Sequence, residues 1–325
     1  MPENELDLEA LADLETPWCL RVAATLRVAD RLAAGPSDVT DLAAAVGCDA
    51  RALREVLGHL AGRGVFAEIE PGRFALNEAG RALADPALHI GLDLDGIGGR
   101  FAHVWGTLLT YVRTGSPGYQ EIYGVPFWED LDSHPEIAAS FDALIGPTGH
   151  GRPALFEMTV SWDAISCVVD VGGGTGSMLA EILRAHEHVR GTLVDLPRTV
   201  GRSAEIFAAT GVSGRVTVSG QSFFDPLPAG ADVYVVKNVL HDWPDQQTGM
   251  ILRRCAEAAR PGGRVVTIGA ATPDASPPGL DLVTVLTGGR VNSLPEFTRL
   301  AGDNGLRVVA ARSQPPGFVV ECVPA

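Results

Sequence analysis

The stretch Val168-Val-Asp-Val-Gly-Gly-Gly-Thr-Gly176 constrains this chain more than any other. Apolar β-branched residues around one acid run into three consecutive glycines. From Ser177 to Ala185, Met178, Leu179, Ile182 and Leu183 recur on one helical face. A buried strand, a glycine turn and a helix, in that order, open a nucleotide-type binding unit. Glycine is needed where the backbone must come close to a ligand. The spacing departs from the phosphate-cradling fingerprint, whose third glycine would fall on Ser177; here it is Gly176. The Lys-Ser/Thr ending of an ATP-binding P-loop is absent as well. Pyrophosphate is therefore not the first ligand to expect.

Downstream the pattern alternates. Gly191 to Asp195 reads as a second strand ending in an acid, which can take two ribose hydroxyls or cap the helix that begins at Pro197. Arg215 to Ser219, Asp232 to Lys237 and Gly263 to Ile268 read as three more strands, with a helix from Gln246 to Arg260 stopped by Pro261-Gly262-Gly263. Two last apolar runs, Leu306 to Ala310 and Gly317 to Val323, read as an antiparallel hairpin. The expected fold class is α/β, a Rossmann-like sheet closed by a terminal antiparallel hairpin. Lys237 stands out because it is the single lysine in a chain with 25 basic residues.

Ahead of this core the pattern is helical. Residues 7–34 form two apolar helical segments, the kind that pack on a partner chain. Residues 38–85 read as a winged helix: Ser37-Asp38 capping a helix to Val46, Asp49 capping a second from Arg51 to Gly62, then a two-stranded wing. Arg51, Arg54, His59 and Arg63 are its candidate DNA contacts, but acids outnumber arginines between 40 and 81, and the whole chain carries −15. Nucleic acid and anionic membranes are therefore excluded as partners. The winged helix reads as a dimerisation or lid module. An N-terminal domain over 1–98 is expected, followed over 99–325 by a helical substrate-binding segment and the catalytic domain, its Rossmann-like core starting near 166. Aromatics clustered between Phe101 and Trp128 fit a flat, apolar acceptor pocket. The five cysteines lack any zinc spacing, so no metal is expected. An acidic start and no long apolar run point to the cytoplasm.

Val169-Asp-Val-Gly-Gly-Gly-Thr-Gly176, Val194-Asp-Leu-Pro197, Ser222-Phe-Phe-Asp-Pro-Leu-Pro228, Lys237-Asn-Val-Leu-His-Asp-Trp-Pro244 and Arg260-Pro-Gly-Gly263 occur in that order. Together they resemble the S-adenosylmethionine-dependent O-methyltransferases of the plant caffeate/hydroxyindole type and their bacterial natural-product relatives. The resemblance spans essentially the whole chain and implies a homodimer through the N-terminal helices. It implies that Gly172 and Gly174 approach the methionine part of S-adenosyl-L-methionine and that Asp195 holds the ribose. By the same resemblance, Leu196, Ser222 and Phe223 flank the adenine, Lys237 contacts the cofactor, and His241 is the catalytic base. The implied reaction is methylation of a hydroxylated aromatic or polyketide-like small molecule in secondary metabolism.

The chain departs from the pattern at three places. Plant members flank the base with two glutamates; Gly269 and Val291 stand there instead, and Asn292 replaces a frequent arginine. Asp242, Asp281 and Glu296 are the acids available as substitutes. The departures leave open a second reading, the same fold and cofactor used for hydroxylation, decarboxylation or cyclisation. A ligand-sensing winged-helix regulator is a third.

Overall fold

The structure is a computed structural model, and it describes residues 7–145, 155–259, 261–273, 280–315 and 317–325. The chain divides into two compact units that alternate along the sequence. One comprises Met1–Gly106 and Trp128–Leu144, the other Thr107–Phe127 and Ile145–Ala325.

The second unit is built on a seven-stranded sheet. Its strands are β1 (Cys167–Val171), β2 (Arg190–Asp195), β3 (Val216–Gly220), β4 (Val233–Lys237), β5 (Arg264–Ile268), β6 (Leu306–Gln314) and β7 (Gly317–Pro324). Their spatial order is 3-2-1-4-5-7-6. The first five pair in parallel, and β7 joins β5 antiparallel with β6 outside it. This bears out the Rossmann-like sheet with a terminal hairpin. The central strands are continuous Val/Ile runs because helices cover both faces. Val169, Val171, Val194, Tyr234 and Val236 face one layer, which includes helix Asp245–Ala258 through Ile251, Leu252 and Cys255. Val168, Leu193, Val233 and Val235 face the other, which includes helix Ser177–Ala185 through Leu179, Ile182 and Leu183. Each of these buried aliphatic side chains stabilises the fold by about 1.5–3 kcal/mol. Burial pushes the thiols of Cys255 and Cys322 up to about 12, so both are inert packing groups.

Strand order reverses between β1 and β4. In open parallel sheets the crevice beyond the strand ends at that reversal is the ligand position. The loops after β1, β2 and β4 carry Gly172–Gly176, Asp195–Leu196 and Asn238–Trp243 respectively, so the fold gathers three of the expected motifs at one edge of the sheet.

The first unit contains the winged helix. Helices Val39–Val46 and Ala50–Gly62 precede a wing of Phe66–Glu70 and Arg73–Leu76. Leu53, Leu57, Leu60, Phe66 and Phe74 form its core with Val28 and Leu32. Ser37-Asp38, expected as a cap, instead forms a short strand against Arg73 and Phe74, and Asp38 makes no capping bond. The edge of the wing offers backbone partners that a solvent-exposed cap would not. Helix Ala50–Gly62 is committed to its own unit. His59 bonds Thr16 at 2.8 Å and faces Glu15 at 3.7 Å, Arg63 pairs with Asp13, and Arg51 with Glu55. Three of the four residues considered for DNA contact are thus engaged with neighbouring acids or hydroxyls.

Candidate active site

The glycine turn after β1 depends on backbone shapes that other residues rarely adopt. Gly172, Gly174 and Gly176 have φ of 68°, 63° and 85°. A Cβ on Gly172 would stand 2.6 Å from Val239, and one on Gly176 would collide with Phe207. At Gly174 a Cβ would meet nothing within 4 Å. The turn is therefore packed against neighbours at Gly172 and Gly176 and open at Gly174.

Asp195 ties this turn to the end of β2. Its Oδ2 accepts from the Gly174 amide at 2.8 Å and its Oδ1 from the Leu196 amide at 2.7 Å. The Thr199 side chain is a third donor to this carboxylate, which leaves about one of its four lone-pair sites open. Gln221, just before the Ser222 loop, donates its amide to the Asp195 carbonyl. Ser222 Oγ accepts from the Phe224 amide at 3.2 Å and shapes the turn that presents Phe223. The Phe223 ring lies beside Gly172 and packs edge-on against Trp243, with centroids 5.9 Å apart.

Two further ionisable groups sit beneath the turn. Asp170, in β1, is buried, and its Oδ2 accepts no hydrogen bond among the described residues. Burial first, then the neighbouring Asp195, pushes its carboxyl up to about 7. Burial also raises Asp195 and lowers Lys237, whose ammonium is partly sustained by Asp170. With its carboxyl pushed up to about 7, Asp170 is not a fixed negative charge near neutral pH, and Asp195 and Lys237 offset one another. Sequence patterning alone does not single out Asp170, although it stands two residues before the first glycine.

His241 lies on a 3-10 turn, Leu240–Asp242, four residues beyond Lys237. Its imidazole Nε2 is 3.3 Å from Asp242 Oδ1, and its side chain is about one-fifth exposed (22%). Burial, aided by Asp281, pushes the Asp242 carboxyl up to about 8. The other two acids expected to substitute for the flanking glutamates are committed elsewhere. Asp281 caps helix Leu282–Thr287 through the Thr284 amide and hydroxyl. Glu296 closes a capping box with Ser293 and pairs with Arg290. At Gly269, with φ of 78°, a Cβ would run into the side-chain oxygen of Asn238. The space that a residue at 269 would use is thus filled from β4's end.

The aromatic expectation divides between the units. Tyr119 packs at a tilt on Tyr123 and edge-on against Phe127 in the second unit, with Tyr119 and Phe127 buried as core. Trp128 packs edge-on against Phe141 in the first. These rings are used largely for packing. Among the described residues no cluster of three His, Cys, Asp or Glu could hold a metal ion, and no helix is long and apolar enough to cross a membrane.

Comparison with known proteins agrees with this chemistry. An O-methyltransferase domain matches residues 105–307, and an O-methyltransferase dimerisation domain matches residues 9–86. The chain is 43% identical to 2,7-dihydroxy-5-methyl-1-naphthoate 7-O-methyltransferase of Streptomyces carzinostaticus, over 94% of each chain. It is 39% identical to aclacinomycin 10-hydroxylase RdmB of Streptomyces purpurascens, over 96% of this chain and 87% of the relative. The crystal structure of NcsB1, an O-methyltransferase from neocarzinostatin biosynthesis in complex with S-adenosyl-L-homocysteine and 1,4-dihydroxy-2-naphthoic acid, aligns with a TM-score of 0.86. It is 42% identical, and the match covers 99% of this chain and all of that one. With both family domains matched and these relatives aligned over nearly the whole chain on a 3-2-1-4-5-7-6 sheet, the chain belongs to the S-adenosylmethionine-dependent O-methyltransferases.

Proposed function

We propose that this enzyme methylates a hydroxyl on a fused aromatic, polyketide-type acceptor, with His241 as general base. The observation that carries the reading is the placement of His241 on the turn following β4, beyond the same sheet edge as the glycine cradle and Asp195. Gly172 and Gly174 let the backbone approach the methionine part of the cofactor. Asp195 holds the ribose, Leu196, Ser222 and Phe223 flank the adenine, and Lys237 contacts the cofactor from the end of β4. When bound, the cofactor supplies an electrophilic methyl on a good leaving group, so the protein's share is orientation and exclusion of water. His241 accepts the acceptor's hydroxyl proton. An imidazole near ~6.5 takes a proton from a phenol near ~10 only as bond formation at the oxygen makes that proton acidic. Asp242, beside Nε2, stabilises the imidazolium when ionised.

The hydroxynaphthoates named for two relatives support a bicyclic phenolic acceptor. We place the functional boundary near residue 98, between the ranges matched by the dimerisation and O-methyltransferase domains. Homodimerisation through the N-terminal helices is supported by the matched dimerisation domain and by the exposed Leu8, Leu11 and Leu14, each about 70% accessible in one chain. The chain's work is cytoplasmic.

The test is incubation with isotope-labelled S-adenosyl-L-methionine and a panel of hydroxynaphthoic acids, 1,4-dihydroxy-2-naphthoic acid included. Transfer of one labelled methyl, reduced about 10²–10⁴-fold in kcat by His241→Ala, is expected. A second reading, hydroxylation on the same scaffold, is favoured by the 39% identity to a 10-hydroxylase and by Gly269 and Val291. A product heavier by one oxygen, with no label transferred, would establish it instead.

A further inference from the structure

We propose that Thr248 is a positioning residue for His241, doing through the backbone what flanking glutamates do through the imidazole in plant relatives. The inference rests on the reading of His241 as base. Neither Gly269 nor Val291 can reach the ring with an acid, and Asp281 and Glu296 are engaged in helix caps. Asp242, which stands 3.3 Å from Nε2, is carried by the same short turn, so the place of both side chains follows that turn's backbone. That turn is held from inside by Thr248, which is 1% exposed in helix Asp245–Ala258. The Thr248 hydroxyl lies 3.0 Å from the Leu240 carbonyl and 3.1 Å from the Trp243 carbonyl, the two that bracket His241-Asp242. One hydroxyl hydrogen is shared between them, and the Thr248 amide donates to the Pro244 carbonyl at 2.9 Å.

A second segment closes tightly on the same turn. Gly289 packs so near that a Cβ there would overlap the His241 carbonyl and the backbone of Asp242 and Trp243. The next residue, Arg290, grips Asp245 through both carboxylate oxygens, at 2.9 and 3.3 Å, and Glu296 at 3.1 Å. Asp245 opens the helix that carries Thr248. The turn is thus held by a buried hydroxyl and a glycine backbone, and the two segments are tied by one guanidinium. A misplacement of ~1 Å at a reacting group can cost about 10²-fold in rate.

Thr248→Val keeps the shape and removes the hydroxyl. With a hydroxynaphthoic acid as acceptor, kcat is expected to fall about 10–100-fold. The acceptor KM and the calorimetric Kd for S-adenosyl-L-homocysteine should stay within ~3-fold, because no substrate contact is lost. Thr248→Ser, which keeps the hydroxyl, should recover kcat to within ~3-fold. In a His241→Ala background Thr248→Val should do nothing further to kcat. An equal loss in both backgrounds, or an unchanged kcat in Thr248→Val, overturns the proposal while leaving His241 as base. If His241→Ala itself leaves kcat unchanged, the base reading falls and this inference with it. Thr248→Ala, which also removes the hydroxyl, gives the same comparison should the valine variant not fold, and full activity there also overturns the proposal.

Discussion

A side chain at Gly174 has space above it but a backbone that disfavours it. The open space and the φ of 63° separate two effects that usually travel together. Gly174→Ala adds strain of about 1–2 kcal/mol, from the left-handed backbone alone. The chain should fold, and on the proposed cofactor position the new methyl would crowd the methionine part of the ligand. Calorimetry with S-adenosyl-L-homocysteine is expected to show affinity reduced tenfold or more, a loss of at least about 1.4 kcal/mol. Gly172→Ala meets Val239 as well as the unfavourable φ, so its loss should show first as a lower unfolding temperature. If the two variants behave alike in both measurements, the cradle is not open where the geometry puts it. Thr248, Gly289 and Arg290 lie beyond what any local pattern announces. Their roles depend on a meeting between residues 240–248 and 288–296, and a threonine four residues into a helix looks like any other until that meeting is seen.

At the scale of elements, the antiparallel β7 carries a buried acid, Glu321, that fastens the chain leading into the sheet. Its carboxylate takes Arg264 on β5, at 2.5 Å, and both the amide and the hydroxyl of Thr159, at 2.7 and 2.6 Å. The side chain is only 3% exposed, so removing its charge leaves the guanidinium, which is 24% exposed and also donates to the Thr159 hydroxyl, without its carboxylate partner. Glu321→Gln is expected to cost about 3 kcal/mol in urea unfolding with an unchanged slope against denaturant. A cost below about 0.5 kcal/mol would mean that the pair is solvated in solution. The strands themselves are legible in the amino-acid pattern. Each is a β-branched run bounded by glycine or by an acid, and the observed limits fall within about a residue of the expected ones, except where β6 extends past Ala310 to Gln314. Ser37-Asp38 misleads for a physical reason: two polar residues before an apolar helix satisfy a capping pattern, while the claim of a neighbouring strand edge is non-local. The site is legible through its loops, since glycines and strand-end acids mark ligand crevices. What supports His241 is not, because acids at 281 and 296 look equally available until their capping bonds are known.

For the molecule as a whole, the raised carboxyls make stability depend on pH with a definite sign. Asp170 and Asp242 keep protons when folded up to about 7 and 8, whereas in the unfolded chain they release them near 3.8. Between those values the folded state binds more protons, so stability falls as pH rises through that window. Each group contributes up to about 1.4 kcal/mol per pH unit. The unfolding temperature should therefore drop from pH 5 to pH 8, and Asp242→Asn should flatten the upper part of that slope. A slope that the variant leaves untouched would show Asp242 to be ionised in the fold. The single lysine has one more consequence. A lysine-specific protease has one bond to cut, Lys237–Asn238, at the end of a central strand where Asn238 adopts a φ of 52°. The folded strand withholds that bond, so digestion reads the population of opened molecules as the appearance of two bands from one. Any ligand of the folded chain should slow the cut by a factor of about 1 + [L]/Kd. A gel, without label or acceptor, can then rank cofactor analogues by how long the chain stays whole.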